Sequence, residues 1–164
     1  MNIETQVQRA IPELEKQAKA DGIEKKVVGA ILTFQKQILI VMRSDKEDFL
    51  PGLAEIPSGG VDGNETIMEA LQREVFEETG LKILSVQKYL NSFDYMTGSG
   101  KKARQYNFWV IPESKDVKLN PEEHSRYEWW DSQKKETFEA YNFSNETRKA
   151  INDAVRQIFM ELNE

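Results

Sequence analysis

The stretch of this 164-residue chain that most limits its fold is IMEALQREVFEETG, residues 67–80. It reads as one helix closed by a glycine, with charge where a helix disfavours it. Ile67 and Leu71 open an apolar seam at four-then-three spacing, and Glu74 and Glu78 occupy its next two positions. Glu74, Glu77 and Glu78 stand three and four residues apart, a repulsion of roughly 0.2–0.5 kcal/mol per pair. They also fall in the last turns, where the helix dipole disfavours each negative charge by roughly 0.3–1 kcal/mol. A solvated acidic face is the plainer reading, but such a face lies opposite the apolar stripe, and these carboxylates extend it. They should point into the protein body or a cleft, where unpaired charge is costly. Hard divalent cations take carboxylate oxygens, so an ion between them relieves both penalties.

The flanking sequence reads as an α/β domain. SDKEDFLPGLAEIPSGGVDGNET, rich in Gly, Pro and Asp, is a long irregular loop delivering the chain to the helix start. Asp62 or Asn64 is the expected N-cap, and Gly80 suits a left-handed C-terminal position with Leu81 folding back on the last turn. KVVGAILTF and QILIVMR are β-rich runs joined by QKQ as a hairpin; KILSVQKYLNSFDY and ARQYNFWVIPE are two long strands around MTGSGKK; SRYEWWD is a shorter strand. Ile151, Val155, Ile158 and Leu162 form the stripe of a closing helix. Ile3, Val7, Ile11, Leu14 and Ala18 mark an N-terminal amphipathic segment in which Pro12 either kinks the helix or starts a second one. Together these imply a mixed sheet covered by helices on both faces.

Composition narrows the chemistry. The chain has no cysteine and a single histidine, which removes disulfides, thiol nucleophiles, Cys-ligated zinc and multi-histidine metal sites. A formal charge of −6 disfavours binding to a nucleic-acid polymer, and an anionic substrate would need local help from a cation. No apolar run is long enough to span a membrane, and the N-terminus lacks a secretory layout, so the expected location is cytoplasmic.

Residues 59–81, GGVDGNETIMEALQREVFEETGL, resemble the Nudix box, G-x5-E-x7-R-E-U-x-E-E-x-G-U with U aliphatic. Gly59, Glu65, Arg73, Glu74, Val75, Glu77, Glu78, Gly80 and Leu81 fill its specified positions. The resemblance implies a Nudix α/β/α sandwich over residues 25–164; residues 1–24, by their own helical spacing, are an N-terminal helical extension that packs on its own domain or on a second subunit in a homodimer. It also implies a hydrolase dependent on Mg²⁺ or Mn²⁺ that breaks the diphosphate bond of a nucleoside diphosphate linked to another moiety. By the family's pattern Glu74, Glu77 and Glu78 bind metal, the carbonyl of Ser58 reaches it, Arg73 orients the glutamates and Glu65 is structural. Many members have glycine at the position of Ser58.

Outside the box, the resemblance to MutT-like members points to a further glutamate before the last core strand as metal ligand or general base. Glu123 is the candidate, with Glu122 as the alternative; the neighbouring His124 reads as an incidental loop histidine, with a phosphate contact or proton carrier as the alternative. Arg43, Lys101, Lys102 and Arg104 are candidate phosphate contacts, each with a solvated surface role as the plainer alternative. Phe49, Tyr95, Trp109 and Phe143 are candidates to stack on a nucleobase, against a plain core role. Asn142 and Asn145 are candidate base readers, Asn145 being also a helix cap. The expected activity leans to a MutT-like nucleoside triphosphate pyrophosphatase. ADP-ribose or nucleotide-sugar hydrolysis, and a non-catalytic Nudix-fold nucleotide-binding regulator, are the alternatives.

Overall fold

The computed structural model describes residues 2–3, 5–44 and 52–160. Chain order is β1 (Asn2–Ile3), α1 (Thr5–Ala20), β2 (Lys25–Phe34), β3 (Gln37–Arg43), β4 (Ala54–Glu55), β5 (Ser58–Gly60), α2 (Ile67–Thr79), β6 (Ile83–Met96), β7 (Lys102–Pro112), β8 (His124–Asp131), α3 (Lys135–Phe138) and α4 (Asn145–Val155). A π-helical turn, Arg156–Met160, continues α4.

Among the described residues eight strands form a mixed sheet ordered β1-β6-β7-β2-β3-β4, with β5 on β2 and β8 on β3. The long pair β6 and β7 is antiparallel, and β2 runs parallel to β7 from Lys25 opposite Ala103 to Leu32 opposite Val110. The expected hairpin is present but short. Only Thr33 with Ile38 and Phe34 with Gln37 are paired around its Gln35-Lys36 turn. Beyond them the strands part, β2 taking β5 and β7 as neighbours while β3 takes β4 and β8. That fork opens a cleft in the middle of the sheet.

Strand alternation divides the core in two. Val28, Ala30, Leu32, Tyr106, Phe108 and Val110 face α1 and α2, meeting Val7, Ile67, Leu71 and Val75. Ile31, Ile38, Ile40 and Trp130 face the other way, onto Ile151, Ala154 and Ile158 of the closing helix. Pro12 is carried inside the single helix α1. That helix packs on its own sheet: Gln6 exchanges hydrogen bonds with the Tyr89 backbone, and the Tyr106 hydroxyl donates to the Leu14 carbonyl.

Both helix caps differ from expectation. At α2 the cap is Thr66, whose hydroxyl accepts from Glu69 N–H while Glu69 accepts from Thr66 N–H, a reciprocal capping box. Asp62 lies too early, because its own N–H is taken by Glu65 and its carbonyl accepts from Glu65 N–H in a separate turn. At α4 the cap is Ser144 rather than Asn145. Gly80 adopts the expected left-handed conformation, φ 69°. Helix α3 has too few residues to show a period, and it is anchored by Phe138, which is buried.

Candidate active site

Strand β5 runs antiparallel beside β2, with Val28 opposite Gly59. This places Ser58, Gly59 and Gly60 under the C-terminal half of α2. A Cβ on Gly59 would lie 2.0 Å from Cδ of Glu74, so the carboxylate rests directly on backbone and only glycine fits there. The Ser58 N–H donates to Glu78 Oε2 at 3.0 Å. The unfavourable seam therefore points inward: Ile67 and Leu71 are buried and Glu78 is 6% exposed. The Glu74 side chain is 14% exposed, whereas Glu77, off the seam, is 54% exposed.

Arg73 holds the arrangement in register. Its Nε and Nη2 form a fork on Glu65, at 2.7 and 2.9 Å. Nη2 also donates to the Gly60 carbonyl, and Nη1 reaches Glu74 at 2.8 Å and Glu77 at 3.2 Å. The guanidinium pulls the Glu65 carboxyl down to about 2, helped by the hydrogen bond from Asp62 N–H. Its own acidity is weakened in return, mainly by the bonds to Glu65.

The inner carboxyls behave oppositely. Burial, then the charges of Glu55 and Glu74, push Glu78 up to about 9, against the lowering effect of Ser58 N–H. Burial raises Glu74 as well, with Arg73 opposing and the charges of Glu77 and Glu123 adding to the rise. Glu123 is exposed, but its charge acts on both Glu74 and Glu78. It ends a turn fixed to β3 by Ser44 N–H donating to the Glu123 carbonyl. Glu122 closes that turn through its own N–H on Asn120 Oδ1.

Sequence reasoning missed Glu55. It lies on β4 between the buried Ala54 and Ile56, so strand alternation turns it to the other side, into the cleft. Glu55 Oε1 meets His124 Nε2 at 2.8 Å and Arg43 Nη1 at 3.4 Å. His124 is therefore not incidental: it is 2% exposed, and its Nδ1 is the buried side-chain polar atom without a hydrogen-bond partner among the described residues. The available signal was AEIP, an acid set between apolar neighbours ahead of a proline. A loop assignment concealed its two-residue period.

A cleft of about 390 Å³ opens beside these groups, lined among others by Arg43, Glu55, Ser58, Gly59, Phe93, Tyr95 and Gln105. The rings of Phe93 and Tyr95 lie 6.1 Å apart. Burial and the Glu55 charge raise the Tyr95 phenol. Arg43 and Tyr95 thus reach the cleft, while Asn145 does not; its neighbours Ser144 and Glu146 line it instead. Trp109 and Phe143 belong to the core. Lys102 and Arg104 bind Asp21 and Glu24 or Asp94, tying the end of the N-terminal segment to the sheet. Phe49 lies outside the described residues.

Among the described residues, no three Asp, Glu or His side chains are already drawn together as a coordination sphere. Arg73 and Ser58 N–H engage the oxygens of Glu74 and Glu78. The donor chemistry nevertheless suits a hard divalent cation: carboxyl oxygens supplied from α2, β4 and the turn before β8, each raising the cost of a neighbour's charge.

Comparison with known proteins identifies the family and the fold. A family model described as NUDIX domain matches residues 24–151. The nucleoside triphosphatase NudI of Escherichia coli O81 (strain ED1a) is 29% identical over 137 residues, covering 78% of this chain and 94% of that protein. The crystal structure of a MutT protein from Methanosarcina mazei Go1 superposes with a TM-score of 0.69 at 24% identity, covering 81% of this chain and 94% of the other. The NUDIX domain of Shewanella oneidensis NrtR, crystallised with ADP ribose, gives 0.66 at 18% identity, covering 89% and 98%. With the box complete and the family match spanning most of its length, the chain belongs to the Nudix hydrolase family.

Proposed function

We propose that this protein is a Mg²⁺-dependent or Mn²⁺-dependent nucleoside triphosphate pyrophosphatase that releases a nucleoside monophosphate and diphosphate. The observation that carries the reading is the inward seam. Glu74 and Glu78 lie buried against the charges of Glu55 and Glu123, an arrangement costly to folding unless a cation or a reaction uses it. The similarity to a nucleoside triphosphatase over most of both chains favours triphosphates. ADP-ribose is the second reading, because a neighbour in fold was crystallised with it.

Glu74 and Glu78, with Glu55, Glu77, Glu123 and the Ser58 carbonyl around them, would hold the cations. A bound divalent ion neutralises the diphosphate and stabilises charge arriving on the leaving oxygen. Arg73 keeps Glu74 and Glu77 aimed while neutralising part of their charge, and Ser58 N–H fixes one oxygen of Glu78. Glu123, solvent-accessible at the rim, accepts the proton of the attacking water. Arg43 supplies positive charge to the phosphates from the cleft wall, and Tyr95 with Phe93 flanks the base.

Nucleoside triphosphates, ADP-ribose, nucleotide sugars and dinucleoside polyphosphates assayed with each metal test this directly. We expect triphosphates to give monophosphate and diphosphate, with Glu78→Gln and Glu123→Gln lowering kcat at least 100-fold. Turnover of ADP-ribose alone would transfer the assignment to the second reading, and full activity in Glu78→Gln would remove the proposed site.

A further inference from the structure

The cleft floor contains a polar chain that the proposed chemistry does not use. Gln105 and Asn107 lie on the central strand β7, with 7% and 0% exposure, on the face turned toward α4. Gln105 Nε2 donates to Asn107 Oδ1 at 2.9 Å, and Asn107 Nδ2 donates to Asn91 Oδ1 at 2.8 Å. Asn91 Nδ2 donates in turn to the Ala150 carbonyl at 3.1 Å and to Asp153 Oδ2 at 2.9 Å. Burying amides in the middle of a sheet is costly unless each is satisfied, and apolar residues would pack there without that demand. The neighbouring strand is adapted to the chain: a Cβ at Gly29 would fall 2.3 Å from Asn107 Oδ1 and 2.6 Å from Gln105 Nε2.

The chain has a direction. An amide can be turned end for end, and its sense is set by its partners. Here both terminal partners are acceptors only. A backbone carbonyl cannot donate, and the Asp153 carboxyl is held below its usual range: burial raises it, but hydrogen bonds from Asn91 and Gln157 together with the charge and hydrogen bond of Arg156 lower it further. Asn91 must therefore present N–H to α4 and its oxygen to Asn107. The same logic passes through Asn107 to Gln105, whose Nε2 points inward. Its Oε1 is then the atom left for the cleft. Among the described residues it accepts no hydrogen bond, nor is it sealed, since the buried unpartnered polar atom there is His124 Nδ1. Directly across the strand pair from Gln105 stands Phe93, whose ring forms the cleft wall with Tyr95.

We infer that Gln105 is a specificity-determining residue, its carbonyl locked outward by the Asn107–Asn91–Asp153 chain to accept a hydrogen bond from the exocyclic amine of a nucleobase lying against Phe93 and Tyr95. The inference rests on the reading of this cleft as a nucleotide site. A base with an amine at that edge, adenine or cytosine, donates to Oε1. Hypoxanthine or uracil sets a carbonyl oxygen against it, and its ring N–H is recessed beside that oxygen. Because Oε1 cannot turn away without reversing the amides of Gln105, Asn107 and Asn91, the first two of them buried, the mismatch leaves an acceptor desolvated and unpaired.

The test uses nucleoside monophosphates, which bind without being cleaved because they contain no diphosphate bond. Calorimetric titration of the full chain should give AMP bound about tenfold more tightly than IMP, and CMP more tightly than UMP by a similar factor. In Gln105→Met, similar in size but without the acceptor, both ratios should fall to near one. Asp153→Asn, remote from the cleft, removes an acceptor-only terminus and should shrink the ratios if Gln105→Met does not fold. Equal affinities within each pair in the wild type, ratios that persist in the variants, or binding of none of the four would overturn the inference. Metal-dependent hydrolysis of ATP and ITP with equal kcat/KM would overturn it while leaving the proposed activity intact. Selective AMP binding with no hydrolysis of any diphosphate would do the reverse.

Discussion

Glu78→Gln offers the sharpest test of why the acidic seam faces inward. The folded protein holds the Glu78 proton up to about 9, whereas an unperturbed glutamic acid loses it near 4.5. Stability contributed by the protonated group is therefore complete below about pH 4.5 and is lost as pH rises toward 9, because over that range the folded state binds more protons than the unfolded chain. Integrated between pH 5 and 7, the loss is about 2.5 kcal/mol, or about 5–10 °C in Tm for a chain of this size. Glutamine keeps an oxygen for Ser58 N–H and carries no charge, so that pH dependence should disappear from the variant. Differential scanning fluorimetry in EDTA from pH 5 to 8.5 measures both profiles. Adding Mg²⁺ or Mn²⁺ at pH 8 should raise the wild-type Tm, because a bound cation offsets the ionised carboxylate, and should affect the variant little. If the two proteins show parallel pH profiles in EDTA, Glu78 is not the buried titrating group and the electrostatic account of the seam fails.

Two other substitutions probe local geometry. Gly59→Ala puts a methyl group inside the Glu74 carboxylate, which Arg73 prevents from simply moving aside; kcat should fall about 100-fold, the cost of misplacing a reacting group by about 1 Å, and Tm should fall by several degrees as the overlap is accommodated. Gln35 turns the β2–β3 hairpin at φ 56°, so Gln35→Gly should stabilise the protein by about 1 kcal/mol, seen as a Tm rise with kcat unchanged, and a fall in Tm would refute the strain.

Much of the site could be read before any coordinates because its logic is helical. A residue's face follows from its position modulo 3.6, so Ile67, Leu71, Glu74 and Glu78 could be assigned to one buried stripe, and the spacing of Arg73 and Glu77 placed them beside it. Hydrophobic alternation likewise identified the long strands. Helix caps were less legible: Asp62, Asn64 and Thr66 all have capping side chains, and the turn made by Asp62 with Glu65 decides which of them starts the helix.

Partners distant in sequence were decided only by tertiary structure. Glu55 and His124 are 69 residues apart and meet because β4 and β8 flank the same strand, β3. The cleft exists because β2 and β3 part after two paired positions, which no local pattern encodes. The amide chain from Gln105 to Asp153 crosses β7, β6 and α4, and its direction depends on acceptors contributed by the last of these. Periodicity, which acts within one element, was enough to say that a polar or charged side chain turns inward. Which groups it meets there, and whether it remains ionised, is set by packing between elements.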